Sequence, residues 1–206
     1  TRQSPLPEAL DRALDGAWQG LDGAERDALG CLSVFAGGFS SESAEAVLAA
    51  PGLDVVARLR QKSWLSAREL DLGDIRLSVS NSVRDFVRRR ADPLALASAR
   101  SRHALWFAAW ATDWAHSAQS LDRERKNLES VLESVLDSGP MTAQRAEPAL
   151  RVLVGLYAHS REPPPARYLA LLEPVLDRTR DSGADPRLLA EALLVSGTAR
   201  RHAGDA

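Results

Sequence analysis

Cys31 and the histidines His103, His116, His159 and His202 are the side chains of this 206-residue chain best suited to nucleophilic or metal chemistry. Their spacing gives that chemistry little to work with. No two histidines stand four apart on a helix and none has a cysteine beside it, so the pattern that grips zinc is missing. Cys31 lies in an apolar helical pattern without a neighbouring histidine, where a thiol behaves as a small hydrophobe. Gly37-Gly38 could cradle a phosphate only with the lysine and the preceding strand of a phosphate loop, and the sequence supplies neither. The expectation is no catalytic residue, no metal ligand and no cofactor held by this chain.

Two further groups bear on binding rather than catalysis. Trp106, Trp110 and Trp114 recur every fourth residue, with His103 and Phe107 flanking them. Such a stripe could stack a flat ligand or bases, but aromatic residues at helical spacing are read here as core. Between 54 and 92 nine Arg or Lys face six Asp or Glu, a local excess of +3. Arg58, Arg60 and Lys62 share one helix, which would enter a major groove if the domain bound DNA. The whole chain has a net charge of -2, so no global field draws it to a polyanion, and a rim that salt-bridges to a neighbouring domain is the preferred reading.

The elements that position these residues follow from periodicity. Leu10, Leu14 and Trp18 line one face of a first helix over 8–19. Asp22-x-x-Glu25 has the form of a capping box opening a second, which ends at Gly37-Gly38 where positive φ is allowed. Ser40 and Ser41 cap a third, with Ala44, Val47 and Leu48 inward, closed by Pro51-Gly52. Asp54 to Lys62 is a fourth. Trp64 to Ala67 and Ile75 to Val79 then read as strands turning through Asp71, Gly73 and Asp74, followed by a helix over 82–90 with Val83, Phe86 and Val87 inward. Three helices, a β-hairpin and a helix are winged-helix order. Asp92-Pro93 marks the boundary between a winged-helix-like domain, 1–92, and a helical region, 93–206.

Beyond Pro93 every segment reads as helix. Leu121, Leu128, Val131, Leu132, Val135 and Leu136 make the cleanest apolar face, Ser138-Gly139-Pro140 ends it, and Ala146, Leu150, Leu153, Val154 and Tyr157 define the next. Pro163-Pro164-Pro165 is a stiff connector. Leu169, Leu172, Val175 and Leu176 face inward in the following helix, and Asp185-Pro186 opens a last one bearing Leu189, Ala192, Leu193 and Val195. Leu193, Gly197 and Gly204 fit the first helix of a tetratricopeptide repeat, the small residue admitting a partner helix and the second glycine ending its own. The fold class expected is therefore mainly α: a winged-helix domain with a short β-hairpin, then TPR-like α-α superhelical hairpins.

With 45% hydrophobic residues the chain can bury a core. No apolar run approaches the about 18 residues that span a bilayer, and the first residues do not pair a basic stretch with an apolar one, so no secretory leader is expected. A single cysteine fits a reducing compartment, so the cytoplasm is expected. Thr1 in place of an initiator Met, and an end at Gly204-Asp205-Ala206 where a hairpin would turn, raise the expectation of a piece excised from a longer polypeptide.

Several motifs resemble the region just C-terminal to the nucleotide-binding domain in bacterial STAND-type (NB-ARC-like) signalling ATPases, including transcriptional regulators that end in tetratricopeptide repeats. They are Ala17-Trp18 with Leu21 and Glu25; Leu32-Ser33-Val34-Phe35-Ala36-Gly37-Gly38-Phe39; Val56, Leu59 and Lys62-Ser63-Trp64-Leu65; Arg76-Leu77 with Val83-Arg84-Asp85-Phe86; Arg102-His103-Ala104; and Glu124 with Asn127-Leu128. The resemblance implies a non-catalytic regulatory and scaffold module. Its winged helix would pack on a nucleotide-binding domain that holds ATP or ADP and Mg, and its repeats would take a protein or ligand. Relatives with a Met-His-Asp signature sense the nucleotide phosphate through the histidine; here Val79, Ser80 and Asn81 hold the similar positions. Ser80, Asn81 and Arg84 are the residues expected to dock on the nucleotide domain. Arg58, Arg60 and Lys62 are those expected to touch DNA or a partner, should the chain be a DNA-binding winged-helix regulator instead. No membrane partner is expected.

Overall fold

The computed structural model describes residues 8–48, 52–70, 74–113, 118–137, 139–158 and 166–204. Within them the chain is mainly helical, with one two-stranded antiparallel sheet, and divides into two compact units, 1–103 and 104–206. The division falls inside α6, Pro93–Thr112, ten residues past Asp92-Pro93, where that helix begins.

The first unit begins with α1, Glu8–Gln19, whose four-residue apolar spacing does form one face. That face is not sunk into the core. Trp18 meets Trp64 and Phe86 edge-on at 6.1 and 5.9 Å, while Leu10 is exposed. Arg89 and Arg90 hold α1 through Asp11 and Asp15, at 2.8 and 2.5 Å, on the same half-buried side as Leu14 and Trp18.

In α2, Gly23–Leu32, the capping box forms: Glu25 N–H donates to Asp22 Oδ1 at 2.8 Å and Asp22 N–H donates to Glu25 Oε2 at 2.9 Å. The same device opens α3, Ser41–Leu48, where Ser40 and Ser43 exchange backbone-to-hydroxyl bonds of 3.0 and 3.2 Å. Leu29, Leu32, Phe35, Phe39, Val47 and Phe86 are fully buried and form the centre of the unit.

Helix α4, Leu53–Gln61, ends in a Schellman closure: Ser63 N–H donates to Arg60 O at 3.0 Å and Trp64 N–H to Leu59 O at 2.9 Å, with Ser63 left-handed at φ 62°. Because this closure takes the Trp64 amide, the strand expected over 64–67 starts two residues later, as β1, Ser66–Glu69. It pairs with β2, Ile75–Ser78, in the register Ser66 to Ser78 and Glu69 to Ile75. Leu77 and Val79 point inward as expected, but Ile75, at the far end of the ladder, is 51% exposed. Of the turn residues, Asp71 and Gly73 lie outside the described residues, as does Pro51 after α3.

Phe39 pairs with the opposite edge of β2 through Phe39 N–H to Leu77 O, 2.8 Å, and Leu77 N–H to Phe39 O, 2.9 Å. This corrects the role given to Gly38, which is not left-handed. A Cβ there would stand 2.8 Å from Arg76 Nε and 3.0 Å from Leu77 O, so glycine is needed for close approach to β2. Helix α5, Asn81–Arg88, buries Phe86 and Val87 and leaves Val83 half-buried.

The second unit comprises the end of α6 with α7, Ala118–Ser134, α8, Ala143–Ala158, α9, Ala166–Thr179, and α10, Pro186–Ala203. Helix α8 packs on α7, α9 and α10. Phe107, Ala108 and Ala111 are buried, and Trp106 and Trp110, expected as core, are half-buried because the inward face of α6 is centred one residue further on. Trp114, Ser138 and Pro163-Pro164-Pro165 lie outside the described residues. Leu128, Val131, Leu132 and Val135 are buried as read, whereas Leu136 is 39% exposed.

Helix α10 starts as expected, with Asp185 accepting from Arg187 N–H at 2.9 Å ahead of Pro186, and Gly204 ends it at φ 85°. Its inward face differs from expectation. Leu188, Ala192, Ser196 and Ala199 are buried, while Leu193 is 48% exposed. Gly197 has no heavy atom within 4 Å of where a Cβ would be, so the close helix approach assigned to it does not occur among the described residues. That approach belongs to Gly155, where a Cβ would stand 2.2 Å from Ala111 O.

Candidate functional site

The segment after α2, Val34 to Gly38, presents its carbonyls where α2 ends, and this is where the arginines of β2 and α5 converge. Arg84 Nη1 donates to Phe35 O at 2.7 Å, Arg88 Nη2 to Val34 O at 3.4 Å, and Arg76 Nη2 to Gly38 O at 2.5 Å. The last carbonyls of α2 are taken by the amides of Ser33, Val34 and Phe35, whereas these three carbonyls lie past the helix end at Leu32, where a guanidinium with planar donors can reach them.

Ser80 caps α5, accepting from Val83 N–H at 3.3 Å, and Asn81 Oδ1 accepts from Arg84 Nη2. The three residues expected at a nucleotide-domain contact are thus brought together at one helix start, with Ser80 and Asn81 exposed and Arg84 half-buried. Burial pulls the Arg84 guanidinium below its ordinary pKa, against the opposing pull of Asp85.

The second expected set, Arg58, Arg60 and Lys62, is divided. Lys62 Nζ donates to Glu25 Oε2 at 2.7 Å and to Gly20 O at 3.0 Å, and Arg58 Nε donates to Glu25 Oε1 at 3.4 Å. Arg60 is exposed. Glu25 is 1% exposed, yet its carboxyl is held below the ordinary range by Lys62 first and the Asp22 amide second, against the upward pull of burial. The capping box was readable from sequence, but this role of Glu25 was not. Arg58 and Lys62, one turn apart on α4, were the available signal that a carboxylate faces them.

Arg102 reaches from α6 to Val47 O at 2.6 Å and to Cys31 Sγ at 3.8 Å. The thiol is half-buried, and desolvation raises its pKa more than Arg102 lowers it, which disfavours the thiolate. His103 is buried edge-on to Phe35 at 5.1 Å. His202 stacks on Tyr157, whose hydroxyl is 3.1 Å from Nδ1. His116 and His159 lie outside the described residues. Among the described residues no group of three or more His, Cys, Asp or Glu could hold a metal ion, and no helix is long and apolar enough to cross a membrane.

In comparison with known proteins, no family model, no curated protein and no solved structure matches this chain.

Proposed function

We propose that the chain is a non-catalytic regulatory and scaffold module of a multidomain STAND-type signalling ATPase. In this reading the first unit docks on a nucleotide-binding domain carrying ATP or ADP and Mg, and the helical unit takes a protein or ligand, in the cytoplasm. The observation that carries the reading is the clamp on Val34 to Gly38. The segment bearing the strongest resemblance is held by Arg84 and Arg88 of the same helix whose exposed start, Ser80 and Asn81, would meet the nucleotide domain. A load at that helix start is coupled to the Phe35 backbone through one guanidinium. The order α2, extended Phe39, α3, α4, β1, β2, α5, with Phe39 pairing β2, also supports a winged helix.

The DNA-binding alternative is weaker, since Glu25 pairs with two of its three cations, Arg58 and Lys62, and cancels one unit of their charge. The coding sequence upstream of Thr1 tests the proposal. A phosphate-binding loop followed by an acidic metal-binding strand is the expected finding, and the absence of both overturns the reading. ATP turnover by this chain above a purified background would also overturn it.

A further inference from the structure

Helices α9 and α10 leave an open groove of about 340 Å³ between them, at the lower end of the range that holds small ligands. Residues three and four apart on each helix line it, so each wall is one helix face about 10 Å long. Leu176 and Leu193 supply apolar surface, and the acids Glu173 and Asp177 balance the bases Arg180 and Arg200 around them. Ser196 lies among these residues and is 4% exposed. Other helical hydroxyls of this unit bond back along their own helix: Ser130 to Asn127 O and Ser134 to Val131 O at 2.7 Å, Thr179 to Val175 O at 2.8 Å and Thr198 to Leu194 O at 2.9 Å. Ser196 departs from that habit. Among the described residues its hydroxyl meets no donor or acceptor, yet the oxygen is not enclosed by protein, so the space it opens to is the groove it helps to line. A buried hydroxyl without a partner is a cost to the fold, and a group bound in the groove would remove it.

We propose that this groove binds a free α-amino acid with an aliphatic side chain. Charge complementarity selects the class: the lining is neutral overall but carries both signs, as a zwitterion does. A polyanion or a polycation would meet like charges on either wall. Asp177 and Ser196, on opposite walls, suit the ammonium, since a carboxylate and a hydroxyl oxygen both accept from it. Arg180 and Arg200 offer guanidiniums to the carboxylate, and the aliphatic side chain covers Leu176 and the half-exposed Leu193. The ion pairs already there, Asp177 with Arg180 at 3.4 Å and Glu173 with Arg200, join exposed side chains, so yielding them to a ligand costs little. The inference rests on the reading of the helical unit as the part that takes a ligand, and it names that ligand's class.

Titration of the 206-residue chain with L-leucine, followed by backbone amide shifts in NMR, should give a saturable change at Ser196 and Gly197 with a Kd on the order of 1 mM. N-acetyl-leucine and leucinamide each lack one of the two charges and should bind about tenfold more weakly. Ser196→Ala should weaken leucine binding about fivefold while leaving the thermal midpoint of the free chain unchanged or higher, because the hydroxyl holds nothing in the fold. No shift change with leucine overturns the proposal. So does equal binding of the N-acetyl compound, or a Ser196→Ala chain that binds like the parent or melts lower. The signalling-ATPase reading fails separately: leucine binding by a chain whose upstream coding sequence lacks a phosphate loop would keep the groove and remove that reading.

Discussion

Lys62 Nζ and Glu25 Oε2 stand 2.7 Å apart across 37 positions of sequence, joining the end of α4 to the first turn of α2. The carboxylate of that pair also closes the capping box of α2, so one buried group serves local and long-range structure together. A carboxyl whose folded pKa lies below its unfolded value stabilises the fold above the unfolded pKa and loses that contribution as pH falls through the folded one.

The first prediction follows from that sign. Stability of the parent chain should decline as pH drops below the ordinary value of about 4.5, and Glu25→Gln should flatten this part of the profile while lowering stability at neutral pH. Urea denaturation at several pH values measures both. An unchanged acid limb in the variant would show that other carboxyls carry it.

Ser63 provides the second prediction. A side-chain-bearing residue in the left-handed region costs energy that glycine avoids, so Ser63→Gly should stabilise the chain by about 0.5–1 kcal/mol despite the added freedom of the unfolded state. Thermal unfolding should show a rise. A fall would mean that the Schellman closure at Trp64 already relieves the strain.

Arg84→Met keeps much of the aliphatic packing and removes the donor to Phe35 O. A loss of about 1–2 kcal/mol is expected, with Arg84→Lys recovering part of it, because a point charge reaches one carbonyl but cannot also fork to Asn81. Chemical denaturation of both variants decides the point, and equal stability of Met and parent would remove the clamp from the account.

Gly155→Ala tests the closest approach shown at any described glycine of the second unit. Its Cβ would meet a carbonyl oxygen at 2.2 Å, and since the obstacle is backbone rather than a flexible side chain, helices must separate. The expected loss is about 3 kcal/mol, well beyond the small gain alanine brings to an unstrained helix. A neutral result by calorimetry would show that α6 and α8 can shift without cost.

Much of the local structure was legible because it depends on neighbours in sequence. The capping box at Asp22 and Glu25, the Ser40 cap of α3, the Asp185-Pro186 start and the Gly204 end of α10 are all made by residues within a few positions of each other. Burial phase was less legible. On α6 and α10 the apolar residues cover more than one face, so periodicity alone could not choose Phe107 over Trp106, or Leu188 over Leu193.

What the sequence by itself determined was therefore the run of helices, their caps, the hairpin after α4 and the absence of a spaced metal or nucleophile motif. What only the tertiary structure decided was which partner each side chain meets: Glu25 for Arg58 and Lys62, Phe35 O for Arg84, Arg76 for Gly38 and Ala111 for Gly155. Caps arise from short-range geometry that a few residues settle. Contacts across tens of residues depend on how the helices pack, and that packing is chosen by the whole core at once.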